Sequence, residues 1–112
     1  MKTKCFLFVF ALVLFNSSFA QTWKGSGISV VKNGNSATVK WTNGSGGVTT
    51  KNATCNGWQD VGFLPGMLSE TICTCTSGRF VITKNEVTQS IDIDYFNSLD
   101  SYLWSFKNVH KQ

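Results

Sequence analysis

The side chains with the clearest chemistry open to them are three cysteines beyond residue 20: Cys55, Cys73 and Cys75. In an oxidising compartment such thiols pair. Cys73 and Cys75 stand two apart in a run with strand character, so both face one side, and a bond between them would be strained. The expected bridge joins Cys55 to one of the two, closing a loop of about 20 residues and contributing about 3 kcal/mol. The remaining thiol is expected to pack as a small hydrophobe, with a disulfide-linked dimer as the alternative. A zinc or copper site would need a fourth ligand, and His110 is the one histidine in the sequence. No metal is expected.

Catalytic equipment is sparse. His110 lies two residues from the end of the sequence, where chains fray, which argues against a Ser/His/Asp system. The carboxylates Asp60, Glu70, Glu86, Asp92, Asp94 and Asp100 form no motif suited to glycosidic hydrolysis. Gly44, Gly46 and Gly47 lack the Lys-Ser/Thr that completes a phosphate-cradling loop. Asp92 and Asp94 would sit about 7 Å apart on one strand face. They read as a solvated face ending in a helix cap rather than as part of a calcium site. The expectation is a non-enzyme with no catalytic residues and no cofactor.

A binding surface is better represented. The segment 56–68 (NGWQDVGFLPGML) sets Trp58 and Phe63 among glycines and the only proline, beside Gln59 and Asp60. Exposed rings next to amide and carboxylate groups can stack on a sugar and hydrogen-bond its hydroxyls. The competing structural reading has both rings folding back to plug one end of the core. Asn43-Gly44-Ser45 and Asn52-Ala53-Thr54 are glycosylation acceptors if the chain is exported in a eukaryote.

The start of the chain gives it an address. Lys2 and Lys4 precede an apolar run from Cys5 to Phe15, and the segment closes on Ser18-Phe19-Ala20. Residues 1–20 read as a secretory signal peptide, too short in its apolar part to span a bilayer, so a single secreted domain is expected over 21–112. Removing the leader takes two of the ten basic residues and none of the six acidic ones, leaving a net charge of +2 rather than +4. The remaining cations are dispersed, which excludes the clustered basic face that nucleic acid demands. No later apolar run supports membrane insertion.

The elements expected to position these residues are mainly strands. Runs at 27–33 and 36–43 flank Asn33-Gly34-Asn35, a hairpin signal. Further strands are expected at 47–55, 69–76 and 79–84, and a last one at 86–94 places Val87, Ile91 and Ile93 on one face and Thr88, Ser90, Asp92 and Asp94 on the other. Beyond Asp94 the period changes. Tyr95, Phe96, Leu99, Tyr102, Leu103, Phe106 and Val109 recur at spacings of three and four, which predicts an amphipathic helix with Asp94 as N-cap and Lys107 near its end. The sequence does not place Trp23 or Trp104.

The predicted fold is therefore mainly β (α+β): a small antiparallel sheet or sandwich of about six strands covered by one C-terminal amphipathic helix. The predicted role is a small secreted recognition protein binding glycan or another extracellular polymer through 56–68. A structural component of an extracellular matrix or coat is the first alternative. A secreted toxin, antimicrobial or enzyme inhibitor follows.

Overall fold

A computed structural model describes residues 20–112, and the leader lies outside the described residues. Nine strands follow in order: β1 (Gln21–Gly25), β2 (Ile28–Asn33), β3 (Ser36–Thr42), β4 (Val48–Cys55), β5 (Gln59–Asp60), β6 (Leu68–Cys75), β7 (Gly78–Asn85), β8 (Ile91–Asn97) and β9 (Tyr102–Lys111). β1 to β4 form one antiparallel meander and β6 to β9 another. Pairing of β4 with β6 and of β1 with β9 joins the two into a closed eight-stranded antiparallel barrel. The short β5 lies along β6.

The expected α+β sheet or sandwich with a C-terminal helix is thus corrected on both counts. The described residues contain no helix, and the sheet closes on itself. The helix-like spacing beyond Asp94 has two local causes. A turn interrupts the run at 97–101, where the Asn97 side-chain carbonyl accepts the Leu99 and Ser101 N–H groups and Asp100 takes φ 65°. A bulge then falls between Phe106 and Val109. The β8 partner of Phe106 is Ile93 and that of Val109 is Ile91, and Asn108 (φ 55°) donates its N–H to the Asp92 carboxylate. Turn and bulge each add residues to a period of two and so mimic a period of three to four. Asp94 caps nothing; it faces Lys107 across the β8–β9 pair, Nζ to Oδ1 3.8 Å. Val87, expected inside, lies in the β7–β8 turn and is exposed.

The hairpin at Asn33–Ser36 forms where expected, with Gly34 at φ 61° supplying the left-handed turn position. Gly78, opening β7, takes φ 150°, and a Cβ there would overlap the Phe96 carbonyl oxygen of β8. That position accepts no other residue without parting β7 from β8.

Alternation inside the barrel makes the core. Ile28 and Val30, Ala37 and Val39, Phe80 and Ile82, and Ile91 and Ile93 point inward, with Trp23 fully buried among them. The Trp23 indole N–H donates to the Gln89 carbonyl at 2.8 Å, fixing the ring against the β7–β8 turn. The outward positions of β3 hold Ser36, Thr38, Lys40 and Thr42, the reverse of the polarity of a lipid-facing barrel.

The two ends of the barrel differ. At one, Trp41, Phe80, Tyr95 and Trp104 cluster with ring centroids 4.6–6.0 Å apart, and Phe106 packs on Trp104 at 5.2 Å. The opposite end, the mouth, is where β2, β4 and β7 finish and where the 56–67 connection passes.

The β4–β6 seam is registered at only two residue pairs, Thr54↔Thr74 and Cys55↔Cys73. The second of these is the disulfide, which resolves the cysteine assignment and leaves Cys75 free. With a sequence separation of 18, the bridge contributes about 3 kcal/mol through the unfolded chain. A Cys55→Ala/Cys73→Ala double variant is expected to lose at least about that amount in urea unfolding under non-reducing conditions. A loss below about 1 kcal/mol would show that the seam holds without its covalent pair.

Candidate functional site

The connection from β4 to β6 is the longest link between consecutive long strands, and it runs across the mouth. Asn56 anchors its first residues: the backbone N–H donates to the Ile72 carbonyl at 3.1 Å, and the side-chain oxygen accepts the Ile72 N–H at 2.9 Å. Gly57, at φ 89°, then turns the chain so that Trp58 falls onto the core. Trp58 is half-buried. The Lys84 ammonium stands 4.3 Å from its ring centroid and the Lys32 ammonium 5.2 Å.

The next residues turn outward. Gln59 and Asp60 form β5 against Glu70 and Ser69. Both Asp60 oxygens are spent inside the loop, one accepting the Gly62 N–H at 3.2 Å and the other the Gly66 N–H at 2.9 Å. Pro65 and Gly66 (φ 79°) occupy the central positions of a turn closed by the Met67 N–H on the Leu64 carbonyl. Proline followed by a residue of positive φ is the type II pattern. The turn holds Phe63 in solvent (101% exposed) beside Leu64 (58%) and Val61 (47%), where it lines a shallow apolar hollow with Leu64, Met67 and Leu68.

The four predicted binding residues are therefore not brought together. Trp58 closes the barrel, Asp60 braces the loop, Gln59 is exposed on β5, and Phe63 alone presents a free aromatic face. Cys75 is half-buried, with Sγ 3.3 Å from the Ser77 hydroxyl, which in turn lies 2.6 Å from the Tyr95 hydroxyl. Asn43 and Asn52 are both exposed. The Asn43 oxygen accepts the Ser45 hydroxyl and the Gly47 N–H, and the Asn52 oxygen accepts the Thr38 hydroxyl.

Sequence reasoning missed the charged groups beneath Trp58. Lys32 and Lys84 continue the inward phases Ile28–Val30 and Phe80–Ile82 and are buried. That phase was the available signal. The Lys84 ammonium lies 3.5 Å from the Glu86 carboxylate, and the Lys32 ammonium donates to the Gly34 carbonyl at 2.6 Å. Burial, with the Lys84 charge adding to it, lowers the Lys32 pKa from its ordinary value. The Ser69 hydroxyl, donating to Glu86, is the main cause of that carboxyl's lowered pKa; burial opposes it, and the Lys84 charge and Gln89 amide assist.

A carboxyl with a depressed folded pKa stabilises the fold fully above its unfolded value. It surrenders that stability as pH falls through the folded value, because the unfolded chain takes up the proton first. Glu86, whose ordinary value is 4.5, places this loss below that pH. Wild-type urea midpoints are expected to fall more steeply from about pH 5 to about pH 3 than those of Glu86→Gln. Equal slopes would remove Glu86 from the balance. No protein-family model matches the chain, and no curated protein or solved structure matches it either, so the site is characterised by its own geometry.

Proposed function

We propose that the chain is a small secreted recognition protein without enzymatic activity, engaging an extracellular partner through the 61–68 turn with Phe63 as its anchor. The carrying observation is a fully exposed aromatic ring on a loop already ordered by Asp60, Pro65 and the Leu64–Met67 bond. An apolar side chain held out in this way gains its full area on docking, and the braced loop has little ordering entropy left to lose. Interface anchors are typically side chains of this kind seated in a partner's pocket.

Such a turn suits a partner protein with an apolar pocket better than a glycan. Sugar stacking would call on Trp58, whose ring already has the two lysine ammonium groups within about 5 Å. Covalent assembly into a matrix or coat would draw on Cys75, but that thiol is half-buried and within hydrogen-bond distance of the Ser77 hydroxyl. Phe63 is the most exposed of the large apolar side chains among the described residues.

Phe63→Ser is expected to leave the unfolding midpoint within about 0.5 kcal/mol of wild type while weakening partner binding at least tenfold, or about 1.4 kcal/mol. The measurement compares immobilised wild type and variant for retention of extracellular proteins from the source cells, alongside a glycan array. Glycan binding that depends on Trp58 and not on Phe63 would overturn the proposal.

A further inference from the structure

The mouth of the barrel carries a second feature that goes beyond the Phe63 turn and does not rest on it. Lys32 and Lys84 are each 7% exposed, the only lysines among the described residues that are buried. They rise from β2 and β7, which stand opposite each other in the eight-strand order, and both ammonium groups converge on the one indole of Trp58. Inward positions of this kind are filled at lower cost by methionine or leucine, because buried charges lose hydration that a pair seldom restores.

The charges at this point do not balance. Glu86 is the carboxylate in reach, 3.5 Å from the Lys84 nitrogen, while Lys32 has a neutral partner, the Gly34 carbonyl. Two cations thus share one anion in a partly desolvated place, and the lowered pKa of Lys32 reflects both its burial and the repulsion from Lys84. Each ammonium carries three donors. An oxygen anion between them would accept a charge-assisted bond from each and cancel the excess charge.

We propose that the barrel mouth is an oxyanion-binding site, with Lys32 and Lys84 as the ligating groups and Trp58 as the ring that holds the two ammonium groups together. The group recognised is a carboxylate, sulfate or phosphate, either as a free ion or carried on a larger molecule.

The test follows the backbone and indole N–H resonances of the full secreted chain during titration with sodium sulfate and with sodium acetate. Sodium chloride at matched ionic strength is the reference. Saturable shifts at Trp58, Lys32 and Lys84 are expected, with affinity falling at least about tenfold in Lys32→Met and in Lys84→Met. Lys40→Met, on the outer face of β3, should bind as wild type does. A sulfated monosaccharide distinguishes the source: tighter binding than sulfate with the same lysine dependence assigns the site to a group borne on a ligand, and equal binding assigns it to the free ion. The proposal is overturned if wild type shows no saturation beyond the chloride reference, a result that needs no variant to fold. Binding that survives in both methionine variants overturns it equally.

Discussion

Closure of the barrel at its β4–β6 seam is the constraint on which the remainder of the structure depends. Each four-stranded meander alone would leave two open edges and one bare apolar face. Within the meanders neighbouring strands are registered at five to eight residue pairs, whereas β4 meets β6 at two and β1 meets β9 at two. Hydrogen bonding at such short seams is a weak restraint. The Cys55–Cys73 bridge makes one of them covalent. The other is held by Trp23, fully buried and bonded to Gln89, and by the Gln112 N–H on the Thr22 carbonyl. With the ring closed, inward positions from all eight strands share one interior, and a chain of this size gains a core that an open sheet could not enclose.

Closure also sets the two ends apart. One is packed with Trp41, Phe80, Tyr95, Trp104 and Phe106, tightly enough that the Trp104 N–H is buried without a hydrogen-bond partner. An orphaned donor of this kind costs about 1–3 kcal/mol, which the ring contacts must outweigh. The other end carries Trp23 and the half-buried Trp58 together with lysines, a carboxylate and a bridging loop. The aromatic end is closed by rings alone, whereas the mouth combines rings with buried charge.

Much of the strand framework was legible in the residues. Alternation marked β3, β-prone composition marked β2, β4, β6 and β7, and the turns at Gly34 and at Thr76–Gly78 carry their own signals. β9 was hidden because the turn before it and the bulge within it make the run from Tyr95 to Val109 recur at spacings of three and four. β1 was hidden because only Trp23 among its five residues faces the core as a large apolar side chain. Closure itself leaves no local mark, since it depends on pairing between distant strands. For the site, sequence weighed Trp58 and Phe63 as equivalent loop aromatics, while the folded chain sends one inward and the other outward. Their separation comes from Gly57 and from β5, a two-residue strand too short to show a period.

The mouth and the Phe63 turn are mechanically one unit, because Glu86 belongs to both. Its carboxylate pairs with Lys84 beneath Trp58, and its backbone N–H donates to the Met67 carbonyl at 2.9 Å, at the foot of the turn. The Ser69 hydroxyl donates to the same carboxylate, and Ser69 is the β6 residue registered with Asp60, whose oxygens tie down Gly62 and Gly66. Two short bonded paths thus run from Glu86 to the base of the turn, one by Met67 and one by Ser69 and Asp60. One residue thus serves both places: the Glu86 carboxylate partly balances the buried lysines and accepts the Ser69 hydroxyl, while its backbone N–H holds Met67 at the foot of the turn from which Phe63 projects.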